Sequence, residues 1–164
     1  MHLRVPATVL GTVLAVGVTP AAQAATDTCS GTKVGQSVDN LVVQPGQSCR
    51  LVDVVIHGSL LVRRGARVDA TKIHVVGNVV AQAAARVSIR KSVVGGDLRV
   101  FASRHVAVRK NHVGHDIQSF ANHAPVIHRN VVAGDLECAI NTPKPRGSRN
   151  HVAGHAEGQC RSMA

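Results

Sequence analysis

A tripeptide that returns every 19 residues constrains this chain more than any other feature. Gly58-Ser59-Leu60, Gly77-Asn78-Val79, Gly96-Asp97-Leu98, His115-Asp116-Ile117 and Gly134-Asp135-Leu136 follow one another at steps of 19, and a degenerate copy, Gly154-His155-Ala156, follows after 20. Asn40-Leu41 stands 19 residues before Ser59-Leu60 and marks an additional first turn. Aligning the copies exposes columns of like residues. Ile56, Val75, Val94, Val113, Val132 and Val152 form one; Leu60, Val79, Leu98, Ile117 and Leu136 form another. Val68, Val87 and Val106, then Ala70, Ile89, Val108 and Ile127, form two more. Within a copy the apolar residues alternate, as in Leu98-x-Val100 and Val106-x-Val108, which is the period of strands with one buried face.

Nineteen residues hold three strands of three to five residues and the turns between them. A unit so small cannot bury its apolar face alone, but stacked copies share a continuous core. Tetratricopeptide and ankyrin repeats are longer and need helical periodicity, the L-x-x-L-x-L pattern of leucine-rich repeats is missing, and no six-residue period points to a left-handed β-helix. The expected fold is therefore all-β: a right-handed parallel β-helix of about six to seven turns, right-handed coiling being the rule for parallel crossovers.

Composition agrees. The chain is 164 residues and 45% apolar, with two Phe, no Tyr and no Trp. Aromatics are the usual large core fillers, whereas medium β-branched residues tile a core in which like stacks on like. Phe101 and Phe120 fall in one column as a two-ring stack, and Ser92, Asn111, Asn130 and Asn150 share another, a ladder of inward polar side chains at a turn.

Met1 to Ala24 has the layout of a secretory signal peptide: His2 and Arg4, the apolar run Val9 to Val18, then Ala22-Gln23-Ala24. Thr26-Asp27-Thr28 before Cys29 is not a lipobox, and no apolar run reaches the roughly 18 residues of a membrane span. Outside the cytoplasm an even number of cysteines reads first as disulfides. Cys29 and Cys49 are 20 apart and Cys138 and Cys160 are 22 apart, placing each pair on adjacent rungs, within bridging reach. The expected disulfides are Cys29–Cys49 and Cys138–Cys160, one at each end. The second pair is two columns out of register and needs a local insertion, for which Pro143, Pro145 and Gly147 mark the place. The expected organisation is a leader (1–24), an N-terminal cap and first turn (25–53), regular repeats (54–137) and a C-terminal capping module (138–164).

Three features bear on chemistry. Asp97, Asp116 and Asp135 place carboxylates on successive rungs, where a small carbohydrate-active enzyme would keep its acids. Asn78 and Ser59 share that column, however, and Asp, Asn and Ser after Gly are turn formers, so the column reads as structural and no catalytic residue is assigned. His74, His112 and His151 share a column but alternate with valines, about 9.6 Å apart at the strand spacing, too far to share an ion. Neither a metal nor another cofactor is expected. The third feature is basic, in a chain of net charge +10. Two adjacent columns read Lys72, then Arg90-Lys91, Arg109-Lys110 and His128-Arg129, continuing to Arg149; Arg67, Arg86 and His105 form a second row on another edge, joined by Arg104. Like charges stacked across strands destabilise a sheet. The ladder either solubilises one face or meets a linear polyanion.

The V-x-G-D-[LI] turns and Val-rich rungs from Val54 to Leu136 resemble bactofilins, short β-helical proteins that polymerise into scaffolds, and the stretch from Cys138 through Asn141, Pro143, Pro145, Gly147, Asn150, Gly154 and Gly158 to Cys160 resembles the closing module of uncharacterised secreted β-helix (pectin lyase-like) proteins of actinobacteria. The first resemblance implies self-assembly by stacking; the second implies export. The residues themselves favour a monomeric, secreted, non-enzymatic module, extracellular or associated with the cell wall. It is expected to bind an anionic cell-wall polymer or acidic glycan through Lys72, Arg90, Lys91, Arg109, Lys110, His128 and Arg129. With no aromatic platforms and no helix for a major groove, no specific nucleic acid is expected.

Overall fold

The alternating apolar positions become strands that pair only with the rungs before and after them. The computed structural model describes residues 26–164; the leader expected at 1–24 lies outside them. One regular turn shows the plan: a strand over Leu98–Phe101, a corner, a strand over His105–Arg109, a corner, and a short strand over His112–Val113. Equivalent strands stack into three parallel sheets of eight, six and seven strands, here sheets A, B and C in that order. The result is a parallel β-solenoid of about seven turns, and the described residues contain no helix. Register follows the columns: Val79, Leu98, Ile117 and Leu136 align in sheet A, Val87 and Val106 in sheet B, and Val75, Val94, Val113 and Val132 in sheet C.

The strands of sheet C are shorter than the three residues expected. They contain two, as in Val93–Val94, because a left-handed corner precedes each and the next corner begins directly after it. That first corner falls on Asp53, Lys72, Lys91, Lys110, Arg129 and Arg149, all with φ between 53° and 58°. The corner between sheets A and B uses Ala83, Ala102, Ala121 and Ile140 in the same way, with φ between 49° and 58°. Left-handed backbone crowds the Cβ of any L-residue and costs about 1–2 kcal/mol per position, so each corner needs compensation.

Buried polar ladders supply it. Directly after the left-handed residue, Asn111, Asn130 and Asn150 point inward, 0–4% exposed. Asn130 Oδ1 accepts from the backbone N–H of Asn111 at 3.1 Å, and Asn130 Nδ2 donates to Val108 O at 3.0 Å. The expected ladder is present, with Ser92 at its upper end donating its Oγ proton to Arg90 O and accepting from Ile73 N–H. A second ladder, which the column reading overlooked, runs through Ser103, Asn122 and Asn141 at the other corner. Its 19-residue spacing was visible in the sequence.

The interior columns are almost wholly aliphatic and form one cluster from Cys29 to Met163. The two phenylalanines lie outside it, half-buried on the outer face of sheet A, as the expected stack: ring centroids 5.8 Å apart and 8° from parallel. Both disulfides form as expected, with Cα separations of 5.6 Å for Cys29–Cys49 and 5.3 Å for Cys138–Cys160. Each is diagonal. Gly31, not Cys29, is in register with Cys49, and Gly158, not Cys160, with Cys138. The insertion near Pro143 to Gly147 shifts the register by only one residue, Leu136 pairing with Ala156; a turn at Glu157–Cys160 supplies the remainder. The tail also terminates both ladders. Gln159 Oε1 accepts from Asn141 N–H at 2.9 Å, and Met163 O accepts from Asn150 Nδ2 at 2.7 Å.

Candidate anion-binding face

The Asp column is the third corner, between sheets C and A, and it is a ladder too. Asp97 Oδ1 accepts the N–H of Asp116 at 3.1 Å, Asp116 Oδ1 that of Asp135 at 2.8 Å, and Asp135 Oδ1 that of His155 at 2.7 Å. Asn40, Ser59 and Asn78 make the equivalent bond on earlier rungs. The recurrent Gly has its reason here. A Cβ on Gly96 would run into Asn78 Oδ1, and one on Gly134 into Asp116 Oδ1.

Beyond this corner, Glu137 lies in an outward row with Arg99, Gln118 and Glu157. Burial, then Asp116, Glu157 and Asp135, raise its carboxyl above the usual range. The acids thus gather on sheet A and its corner. His74, His112 and His151 take alternate rungs of sheet C, and among the described residues no three His, Cys, Asp or Glu side chains gather closely enough to hold a metal.

Most of the basic residues lie on sheet B and the corner that follows it, whereas Arg99 is on sheet A and Arg64 and Arg104 border the corner between sheets A and B. Thr71, Arg90, Arg109 and His128 are in register along one margin. Lys72, Lys91, Lys110 and Arg129 occupy the adjoining left-handed corner, where the backbone turns them outward. Arg90 reaches Asp69 at 2.9 Å and Lys72 lies 4.0 Å from Asp53. Among the described residues no carboxylate lies within 4.0 Å of Lys91, Arg109, Lys110 or Arg129.

One placement differs from expectation. Arg67, Arg86 and His105, expected on another edge of the coil, are the opposite margin of the same sheet. Arg86 and Arg90 are the two ends of one strand, Arg86–Arg90, and both are exposed. Residues four apart in a strand share a face and stand roughly 13 Å apart, a parity the column reading did not apply. Between the two basic margins runs a floor of in-register residues, Asp69, Ser88, Ala107 and Val126. A cavity of about 190 Å³ opens on it, lined by Arg86, Ser88, His105, Ala107, Ala124 and Val126. Arg104 borders a separate notch at the corner between sheets A and B, facing Arg64 across Ala83 and Ala102.

No protein-family model, no curated protein and no solved structure matches this chain.

Proposed function

We propose that this protein is a secreted, non-enzymatic module of the cell envelope or extracellular space that holds an anionic polymer against the basic face of sheet B and its adjoining corner. The observation behind this reading is the residue choice at that corner. Left-handed backbone is cheapest for Gly and tolerable for Asn or Asp, yet of the six positions from Asp53 to Arg149 five carry cations, Lys72, Lys91, Lys110, Arg129 and Arg149. Long cations there accept backbone strain and mutual repulsion together. A counter-charge that runs along the solenoid, rung after rung, offsets the repulsion.

Two disulfides fit an oxidising compartment and support export. The Asp ladder supports a non-enzymatic reading, since each Asp97, Asp116 and Asp135 Oδ1 is engaged by a backbone N–H. A polymer of sugars or phosphodiesters is favoured over nucleic acid, because the two Phe rings lie on sheet A and leave the basic face without a stacking platform. End-to-end stacking in the bactofilin manner is the competing reading. Against it, Asp27 and Lys33 on the first described rung take the inward columns of Leu41 and Leu51, where a stacked copy would have to bury them. Inward charges of this kind discourage edge-to-edge pairing.

The test is retention of the oxidised protein on isolated cell walls across a salt series. Retention is expected to fall steeply with salt, since exposed charges are screened over about 8–10 Å at 0.10–0.15 M, and to be lost when Arg90, Lys91, Arg109 and Lys110 are changed together to Ser. Equal retention of that variant, correctly folded, rejects the ladder. Light scattering across concentration checks the competing reading: a constant mass near one chain is expected, and growth into large regular species would make assembly the function.

A further inference from the structure

The corner between sheets A and B changes shape once along the solenoid, and the change leaves a notch. On the first two rungs the chain turns through Gln44-Pro45-Gly46-Gln47 and Arg63-Arg64-Gly65-Ala66, the fourth N–H of each donating to the first carbonyl at 3.0 Å. Gly46 and Gly65 have φ of 74° and 71°, so these are type II turns. From Ala83 onward the left-handed residue comes one place earlier in the repeat. That second kind of corner is the one held by the Ser103, Asn122 and Asn141 ladder. The type II turn of the second rung therefore meets a rung of three alanines, Ala83-Ala84-Ala85. Gly65 N–H donates to Ala83 O at 2.8 Å from one side of that rung, and Arg104 N–H donates to Ala84 O at 3.0 Å from the other.

Two adjoining cavities open at this step. One of about 410 Å³ is lined by Arg64, Ala83, Ala85, Ala102 and Arg104; the other, of about 440 Å³, shares Arg64, Ala83 and Ala102 and adds Arg63 and Gln82. Arg64 and Arg104 are two rungs apart, about 9.6 Å along the solenoid, with only alanine between them. One group seated over that alanine rung lies within reach of both. Among the described residues no carboxylate lies within 4.0 Å of Arg63, Arg64 or Arg104, and all three are exposed. The fold does not ask for them: Gln44 and Pro45 take the places of Arg63 and Arg64 one rung earlier, and Ala85 that of Arg104.

The lining selects a ligand class. The corner after sheet B carries chiefly lysines, point charges suited to a polymer that runs past them. All three cations here are arginines, whose planar fork fixes one carboxylate or phosphate. Each cavity exceeds the needs of a bare ion and falls within the roughly 300–1,000 Å³ of small-molecule sites. Alanine methyls suit the C–H face of a sugar ring, and the Gln82 amide both donates and accepts, as sugar hydroxyls require.

We infer that the notch holds one acidic sugar, its negative group between Arg64 and Arg104 and its ring against Ala83, Ala85 and Ala102. This rests on the polymer reading above and specifies it: the polymer is a glycan, one charged sugar of which is seated here while other units meet the basic face of sheet B.

The test follows amide chemical shifts of the isotope-labelled, oxidised protein as glucuronate, glucose 6-phosphate, glucose and acetate are titrated separately. Glucuronate or glucose 6-phosphate should give saturable shifts centred on Gly65, Ala83, Ala85 and Arg104, and the tighter of the two identifies the acid group. Glucose and acetate each carry half of the recognised unit and should bind about ten-fold more weakly, or less. Arg64→Gln with Arg104→Gln, both exposed and outside any ion pair, should keep the parent's urea midpoint and weaken the titration at least ten-fold, the loss of hydrogen bonds to a charged group. Ala85→Leu, which fills the notch at constant charge, should abolish it. Parent-like titration of the arginine variant, glucose binding as well as the acids, or shifts spread over all basic residues overturns the notch. If the variant with Arg90, Lys91, Arg109 and Lys110 changed to Ser keeps its grip on cell walls while the notch still binds the acidic sugar, the polymer reading fails and the notch stands. If that variant loses its grip while no sugar shifts the notch amides, the notch fails and the polymer reading stands.

Discussion

Replacing Asn130 with Ala tests what holds the solenoid's corners. Asn130 is 1% exposed and sits mid-ladder. Its Oδ1 accepts from the N–H and the Nδ2 of Asn111, each at 3.1 Å. Its Nδ2 donates to Val108 O at 3.0 Å and to Asn150 Oδ1 at 2.9 Å. After truncation, Asn111 Nδ2 keeps Ile89 O and Asn150 Oδ1 keeps the N–H of residue 130. The Asn111 N–H keeps nothing. The stranded buried donor costs about 1–3 kcal/mol and each of the three other lost hydrogen bonds about 0.5–1.5 kcal/mol, for a total of about 3–7 kcal/mol. That is a large share of the 5–15 kcal/mol available to a typical domain, and it should lower the Tm by about 10–20 °C.

Urea unfolding of the oxidised protein by far-UV circular dichroism measures the loss, and native-state hydrogen exchange locates it at the Asn111 amide. Val54 and Ile73 occupy the same column on earlier rungs without a ladder of their own. The penalty therefore comes from the partners left behind, not from an apolar residue at that place. Changing Ser92, Asn111, Asn130 and Asn150 together to Val should cost less than the sum of the single changes. A loss under about 1 kcal/mol for Asn130→Ala, with the Asn111 amide still protected, would refute the reasoning.

Other outcomes follow from the same geometry. Cys29→Ser with Cys49→Ser opens a loop of about 20 residues and should cost roughly 3 kcal/mol on chain-entropy grounds, read as an earlier urea midpoint that a reductant reproduces in the parent. Glu137, its carboxyl raised by burial and by Asp116, Glu157 and Asp135, binds its proton more tightly folded than unfolded. Its contribution is present at low pH and is lost as pH rises through the folded value, so Glu137→Gln should be more stable than the parent at neutral pH and equal to it in acid.

Much of this molecule is legible in one dimension because a solenoid's neighbours are set by a fixed step along the chain. Once the 19-residue step is recognised, Leu98 must lie over Ile117, Phe101 over Phe120 and Asn111 over Asn130, and cysteines about one turn apart must meet. The amino-acid sequence by itself therefore determined the strands, their order, the buried columns, one polar ladder and both disulfides. What needed the tertiary structure was everything that runs around the turn instead of along it. A column records which residues stack, but not the angle through which the backbone rotates before the next column begins. That angle is set at the left-handed corners, and nothing in the identities of Lys91 or Ala102 announces a positive φ. The corners bring the row of Arg86 and His105 onto the same sheet as Arg90 and Arg109, floor the space between them with Ser88 and Ala107, and leave the Asp97, Asp116 and Asp135 column at another corner. The charge separation and the cavity between the two basic margins are thus products of how each rung bends.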